Sequence, residues 1–346
     1  MMFGTTGRDM PFTYIIGEIG INHIGQMNIA RELIYGAYEA GADAVKFQKR
    51  DIEATYTKKM LNTPYNSKNA FGRTYGVHRD YLEFSMDQYR ELKKYAEEYG
   101  LDFIVTPWDE PSVDFLEELG VEIYKIASAD LTNIPLITKI AKLERPIIIS
   151  TGMGLIEHVD DAINAICKYH HDIAIMYCVS LYPSEFEDIN LNMIQFYQDR
   201  YPDLTVGYSG HELGIAISTA AAVLGAKVIE RHITIDRSMK GSDQSASLEI
   251  GSFRKMCRDI QITDGCLTKP PIKYYSLKEY ELFKKLGKSL TANRDILPNQ
   301  IITPDDIVLK SPGTGIIWPE RDRVLYKRAL RDIKQNTTIR IEDIEE

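Results

Sequence analysis

Two lysines, Lys46 and Lys125, sit in the C-terminal halves of short apolar runs, and polar side chains follow each: Gln48 after the first, Ser128 and Asp130 after the second. A lysine that projects into an apolar interior is costly unless a negative charge meets it. An anionic substrate, a phosphate or a carboxylate, supplies that charge; the alternative is a Lys–Glu pair closing the floor of the core. Other runs end the same way, in Glu18, Asn22 and His23, in Asp109, in Ser150, in Ser180 and Tyr182, in Ser209 and His211, and in Glu230 and His232. His211 and His232 close consecutive runs. Two such imidazoles could share one divalent ion and leave positions open for a substrate oxygen. The same spacing also suits two hydrogen-bonded structural histidines, which is the commoner arrangement.

The remaining histidines and tryptophans read as less chemical. His170 and His171 follow a helical pattern and fit a solvated pair at a helix C-terminus, favoured by the helix dipole. His78 and His158 read as surface residues, and Trp108 and Trp318 as packing groups. The acidic run Glu342–Glu346 reads as a solvated terminus.

Eight β-rich runs must position the candidate groups: Tyr14–Gly20, Ala44–Gln48, Phe103–Trp108, Ile123–Ser128, Pro146–Gly152, Ile173–Ser180, Thr205–His211 and Val228–Thr234. They are rich in Val and Ile and mostly lack strict alternation, as strands covered on both faces do. Helical patterns lie between them. Ile29, Leu33 and Ala37 share one face before Gly41. Ser85 and Gln88 form a capping box ahead of Leu92, Tyr95 and Ala96, with Gly100 as the stop, and Pro111 opens a helix that Gly120 closes. Eight β/α units in succession predict a (β/α)8 TIM barrel, an α/β fold whose chemistry gathers at the C-terminal ends of the strands. An open doubly wound sheet is the alternative, but Gly17, Gly20 and Gly25 do not make its GxGxxG turn.

The stretch Asp51–Tyr81 is polar and tyrosine-rich and reads as a long connection, of the kind that serves function or is disordered. Beyond Gly265, Lys269-Pro270-Pro271 reads as a linker, followed by a polar helix through Leu282–Leu286. The tail contains a repeat: Ala292–Ile307 and Ala329–Ile344 superpose at a shift of 37 residues with eight identities in sixteen positions. In both copies an Asn, Asn299 or Asn336, falls where a turn calls for positive φ. Two copies of strand, turn, strand and short helix predict a small β domain. The expected boundaries are 1–265 for the barrel, 266–285 for the linker and 286–346 for the tail domain.

Composition excludes other classes. The chain has 346 residues, 44% hydrophobic and 26% charged, which is globular usage. Its 41 basic and 50 acidic residues leave a net charge of −9, against a basic nucleic-acid-binding face. The longest uncharged apolar stretch, Gly214–Ala226, is too short to span a bilayer, and Met1–Phe12 lacks an apolar signal core. The four cysteines lack CxxC spacing and read as reduced thiols, so a soluble cytoplasmic protein is expected.

Ordered motifs resemble the sialic acid synthase family, nearer its animal-type branch. They are Gly17-Glu18-Ile19-Gly20-Ile21-Asn22-His23, Gly41-Ala42-Asp43-Ala44-Val45-Lys46-Phe47-Gln48, Tyr124-Lys125-Ile126-Ala127-Ser128-Ala129-Asp130, Ile149-Ser150-Thr151-Gly152-Met153, Gly207-Tyr208-Ser209-Gly210-His211 and Ile229-Glu230-Arg231-His232-Ile233-Thr234. Lys240-Gly241-Ser242-Asp243-Gln244-Ser245-Ala246-Ser247-Leu248-Glu249 follows, and the tail from Leu286-Gly287-Lys288-Ser289-Leu290 resembles the family's antifreeze-like (SAF) domain. The resemblance implies a transferase that condenses phosphoenolpyruvate with N-acetylmannosamine or its 6-phosphate and releases phosphate by C–O cleavage. Related legionaminate or pseudaminate synthases, or a metal-dependent aldolase on the same barrel, are the alternatives.

By the same resemblance, Glu18, Lys46, Lys125, Asp130 and Glu230 are catalytic, with Glu18 as the acid/base. Gln48, Ser128, Ser150, Ser180, Tyr182, Ser209 and Asp243 bind substrate, and His211 and His232 hold a divalent metal, Mn2+ or Mg2+. A domain-swapped homodimer is implied, with neither nucleic acid nor membrane as partner. Asp130 stands where many bacterial members have Glu, and Ser180 where they often have Asn. Lys310-Ser311-Pro312-Gly313 lacks the family's Arg-Pro-Gly step, which leaves open whether Lys310 or Ser311 replaces that arginine. Lys49, Arg50, Lys68 and Arg73 on the long connection are placed either to meet a sugar phosphate or to face solvent.

Overall fold

The computed structural model describes residues 12–345; most of the N-terminal stretch Met1–Phe12 thus lies outside the described residues. Eight strands form at the expected places: β1 (Tyr14–Gly20), β2 (Ala44–Lys49), β3 (Asp102–Pro107), β4 (Tyr124–Ile126), β5 (Ile147–Ser150), β6 (Ile173–Cys178), β7 (Thr205–Gly210) and β8 (Val228–Thr234). Each pairs in parallel with the next, and β1 pairs with β8 from Tyr14↔Val228 to Glu18↔His232, so the sheet closes on itself. The fold is a TIM barrel. A two-residue strand, β9 (Leu248–Glu249), adds to the end of β8.

Why the strands read as unbroken apolar runs is visible in their burial. The outward residues pack under the helices, where Leu33, Ala37, Leu92, Val113, Leu116, Ile137 and Ile163 belong to one large core. The inward residues form a second, separate core of Tyr14, Ile16, Ala44, Ile104, Ile123, Ile148, Ala174, Met176 and Val228. Because side chains alternate along a strand, the next inward positions are two residues on. There the lumen turns polar: Glu18, Lys46, Thr106, Lys125, Ser150, Cys178 and Glu230 line one cavity. An apolar plug fills the N-terminal half of the barrel and a polar layer fills its C-terminal half.

The helix signals hold. Gly41 and Gly120 cap their helices at φ 87 and 73, where a Cβ would be strained. Ser85 and Gln88 make the reciprocal capping box, with backbone-to-side-chain bonds of 2.9 and 3.4 Å. The connection 51–81 is not an irregular loop. It carries three short helices, Ile52–Thr55, Lys58–Leu61 and Tyr75–Tyr81, whose free N–H groups are met by Asp51, Thr57 and Thr74 side chains. His78 is correspondingly not a surface residue: it is buried, with its ring 4.6 Å from Tyr65 and 5.9 Å from Phe71. Aromatic side chains from the connection itself give it a local core.

Residues 12–268 and 269–345 separate into two compact units within the described chain. In the second, a helix spans Leu277–Leu286, longer than the pattern indicates, with Ser276 and Glu279 closing a capping box. β10 (Ser289–Ala292) pairs antiparallel with β11 (Ile307–Lys310). The repeat has a structural counterpart. Ile296 and Ile333, equivalent residues, exchange both backbone hydrogen bonds at 2.9 Å. Asn336 N–H donates to Ala292 O at 2.8 Å, and Asn299 N–H donates to Ala329 O at 2.7 Å. Both asparagines do adopt positive φ, 68 and 66. The 3-10 turns Pro304–Asp306 and Ile341–Asp343 match as well. The second copy differs from expectation in having bridges, not continuous strands.

Among the described residues no helix is long and apolar enough to cross a membrane, and all four cysteines are free thiols. Gly207 in β7 tests the packing of the barrel wall. A Cβ there would stand 2.6 Å from the Val228 carbonyl oxygen of β8, which cannot move without the ladder. Gly207→Ala should therefore lower stability by about 1–3 kcal/mol, the usual cost of overpacking, in a chemical denaturation measurement. An unchanged midpoint would show that the wall has slack.

Candidate active site

The polar layer surrounds a cavity of about 70 Å3 at the C-terminal ends of the strands, bounded by Glu18, Lys46, Lys125, Ser150, Ser209, Glu230 and the two candidate imidazoles. Of the side chains singled out from sequence, Gln48, Ser128, Ser180 and Tyr182 also line it. Asp130 and Asp243 do not. Asp130 faces an adjoining depression shared with Asp109 and Asn133, and its Oδ1 accepts from Asn133 Nδ2 at 2.9 Å. Asp243 approaches from the loop after β8, its Oδ2 3.9 Å from His232 Nδ1.

Four buried charges organise the layer. Glu18 and Lys46 are register partners on β1 and β2, and their charged ends meet at 2.9 Å. Glu230 on β8 lies 3.6 Å from both Lys46 Nζ and Lys125 Nζ. The lysines are thus already paired with carboxylates, although at the mouth of the barrel and not at its floor. The Lys–Glu alternative therefore holds in its pairing, and neutralisation of the lysines does not require a bound anion. Burial alone would push the Glu230 carboxyl up, but Lys125 and Lys46 hold it down at about 2. Glu18 shows the opposite balance: full burial, with the Glu230 charge adding to it, raises its pKa despite Lys46. Burial draws the Lys125 ammonium down, with Glu230 opposing. Two carboxylates in one site are therefore pushed apart, Glu230 held down by the lysines and Glu18 raised by burial, which suits acid/base division of labour.

Hydroxyls and an amide complete the polar layer. Lys125 Nζ donates to Ser150 Oγ at 2.6 Å, Ser209 Oγ donates to Glu230 Oε1 at 3.3 Å, and Gln48 Nε2 donates to Glu18 Oε1 at 2.7 Å. On the far side, the rings of His211 and His232 are 5.3 Å apart, and Tyr182 lies over His211 at 4.0 Å. His211 Nδ1 lies 2.9 Å from the Val179 carbonyl, which fixes the proton on Nδ1 and leaves Nε2 as a lone-pair donor. His232 Nδ1 is buried without a hydrogen-bond partner, and burial brings its pKa down to about 3. Two imidazoles side by side fit a divalent ion with open positions, although against the pull of burial Cys178 and the Val179 carbonyl raise the His211 pKa. No group of three or more His, Cys, Asp or Glu side chains is placed to hold a metal among the described residues, so the protein would contribute two ligands.

The family follows from comparison. Residues 33–270 match the NeuB family model, and residues 287–345 match the SAF domain model. The chain belongs to the NeuB family. It is 42% identical to the N-acetylneuraminate-9-phosphate synthase of Homo sapiens over 94% of this chain and 91% of that protein. It is 37% identical to the N,N'-diacetyllegionaminic acid synthase of Campylobacter jejuni, over 96% of this chain and all of that one. The crystal structure of the sialic acid synthetase of Leptospira borgpetersenii, a citrate complex, superposes with a TM-score of 0.69 at 30% identity, covering 78% of this chain and 90% of that one.

Several groups in this NeuB-family site escape sequence reading. Cys178 lines the cavity from β6, with its Sγ 3.6 Å from Ser128 Oγ. Its signal was position: it lies two residues after Met176 in the inward register. Trp108 is no mere packing group; it borders the cavity and carries the Arg50 guanidinium over its ring at 4.0 Å. Asn22 and His23, by contrast, are structural. Asn22 Nδ2 bonds the Ile233 carbonyl at 2.8 Å, and His23 stacks on Phe84 at 4.2 Å.

The histidines owe their placement to a fully buried ion pair behind them. Glu212 follows His211 and Arg231 precedes His232, and Arg231 Nη1 meets Glu212 Oε1 at 2.8 Å. Arg231 also donates to the Gly214 carbonyl and to Ser218 Oγ, so β7, β8 and the following helix are tied together. Breaking such a pair on one side strands a charge. Arg231→Leu should cost about 3–5 kcal/mol of stability, and adding Glu212→Leu should recover part of that loss. A double variant as unstable as the sum of the singles would show that the two side chains act independently.

Proposed function

We propose that this protein condenses phosphoenolpyruvate with N-acetylmannosamine 6-phosphate, giving a nine-carbon 2-keto acid phosphate and inorganic phosphate. The observation that carries the reading is the adjacency, in one cavity, of Lys46, Lys125 and Ser150 with the paired imidazoles of His211 and His232. The relative named for the 9-phosphate product favours the phosphorylated acceptor over the diacetamido sugar of the legionaminic acid synthase.

Lys46, Lys125, Ser150, Ser209, Gln48 and Ser128 hold the phosphate and carboxylate of phosphoenolpyruvate. Its C3 then faces the acceptor carbonyl on the histidine side of the cavity. A divalent cation, Mn2+ or Mg2+, would be held by His211 and His232 and would supply Lewis acidity for attack on the acceptor carbonyl. Carbon–carbon bond formation leaves C2 electron-poor, and water adds there. Glu18, whose pKa burial raises, takes a proton from that water and passes it to the new alkoxide. Collapse of the adduct to the ketone breaks the bond from C2 to the bridging oxygen, and phosphate leaves with that oxygen and the remaining hydroxyl proton. Glu230, ionised between the lysines, keeps both ammonium groups oriented toward the anion, and Tyr182 and Asp243 flank the sugar chain. Asp130, in the adjoining depression, serves its hydroxyls.

The tail domain belongs to the same proposal. We assign it, from residue 286 onward, as a cap on the barrel mouth of a second subunit in a domain-swapped homodimer, joined through residues 266–285.

Phosphoenolpyruvate labelled with 18O at the bridging oxygen tests the reaction. The label should appear in inorganic phosphate; label retained in the keto acid would exclude C–O cleavage. Lys125→Met should raise the KM for phosphoenolpyruvate at least tenfold more than the KM for the sugar, since a charge-assisted contact of roughly 1.5–3 kcal/mol is lost. An equal rise in both would remove Lys125 from the anion pocket. A chain truncated after Thr268 should lose dimerisation and turnover together; a fully active monomer would refute the cap.

A further inference from the structure

The reading above requires somewhere for the acceptor's own phosphate to bind, at the end of the sugar remote from the reacting carbonyl. The cations suggested by sequence do not supply it. Lys49 Nζ and Arg50 are both engaged by Glu83, at 2.9 and 3.7 Å. Lys68 and Arg73 are exposed on the connection after β2.

Two other cations differ. Arg79, in the helix Tyr75–Tyr81, donates its Nε to Tyr75 Oη at 2.9 Å and lies over that ring at 5.1 Å. Lys240, in the loop after β8, holds its Nζ 4.7 Å from the centre of the Phe71 ring. Among the described residues, neither forms an ion pair with a carboxylate. Both act electrostatically on the same imidazole, His78, whose ring stacks against Phe71 at 5.9 Å. Asp243, 3.9 Å from His232 at the cavity's edge, is within electrostatic reach of Arg79 and His78. One Asp243 oxygen is already occupied by Ser242 Oγ at 2.6 Å. Two cations against one carboxylate leave this side of the rim net positive, and aromatic faces fix both cations without neutralising them.

We infer that Arg79 and Lys240 form a phosphate clamp on the histidine side of the mouth and select an acceptor sugar phosphorylated at its far end. The clamp rests on the proposed reaction but adds a separate site to it. Arg79 supplies two free guanidinium nitrogens beyond the one bonded to Tyr75, a fork matched to phosphate oxygens, while Lys240 acts as a mobile point charge. His78 remains neutral between them, since burial and then the two cations bring its pKa down to about 4. It keeps the aromatic support packed without adding a third charge.

The experiment is calorimetric binding of N-acetylmannosamine 6-phosphate and of N-acetylmannosamine to the full chain, with steady-state kinetics on both sugars alongside. The unmodified protein should bind the phosphorylated sugar at least tenfold more tightly. Arg79→Met with Lys240→Met should remove that preference, lowering kcat/KM for the phosphorylated sugar at least tenfold more than for the free sugar. Arg79→Lys should restore part of it. Tyr75→Phe, which removes the hydroxyl but keeps both cations, should largely retain it and so separates charge from local folding. Equal losses on both sugars in the double variant, or no preference in the unmodified protein, would overturn the clamp. Preferential binding that the double variant abolishes, without any condensation with phosphoenolpyruvate, would uphold the clamp and refute the reaction.

Discussion

Everything at the mouth of the barrel depends on keeping four charges out of water. Glu18, Lys46, Lys125 and Glu230 expose 4% or less of their side chains, and they form one chain of opposite charges, Glu18 to Lys46 to Glu230 to Lys125, beside a small cavity. Such a network contributes little net stability, because the cost of desolvation consumes most of the attraction. Its value lies in preorganisation. The lysines are held by protein carboxylates before any anion arrives, so binding exchanges or adds partners and need not create order. The stability comes from elsewhere, from the apolar plug one layer below and the helix-covered outer core. The barrel thus divides labour along its axis.

That division explains what was legible beforehand. Strand positions could be read closely because residues covered on both faces must be apolar, and the change to polar residues at each run's end marks the mouth. Lys46, Lys125, His211 and His232 stood out for the same reason. Cys178 did not, since a thiol at the end of an apolar run looks like one more packed residue. Partnerships across sequence were harder still. Glu83 gathers Lys49 and Arg50 from more than thirty residues away, and nothing in local composition announces it. His78 was misplaced because short helices with their own aromatic core resemble a polar loop when read by composition alone.

The ion pair of Arg231 with Glu212 shows a second kind of dependence. It touches no part of the cavity, yet it lies next in sequence to both imidazoles. The two imidazoles themselves make few bonds, a single carbonyl contact at His211 Nδ1 and none at His232 Nδ1, so other side chains must fix where they stand. The constraint is applied from behind, by side chains that point into the outer core.

The tail repeat has a different consequence. Ile296 bonds to its own equivalent, Ile333, and each asparagine turn closes on the other copy's alanine carbonyl. Each half of this domain therefore pairs within itself and also with the other half, as two subunits of a symmetric dimer do when joined head to tail into one chain. Such an object is indivisible. A proteolytic cut in the segment joining the copies leaves the contacts between them in place, whereas loss of either copy strips the other of its cross-copy hydrogen bonds.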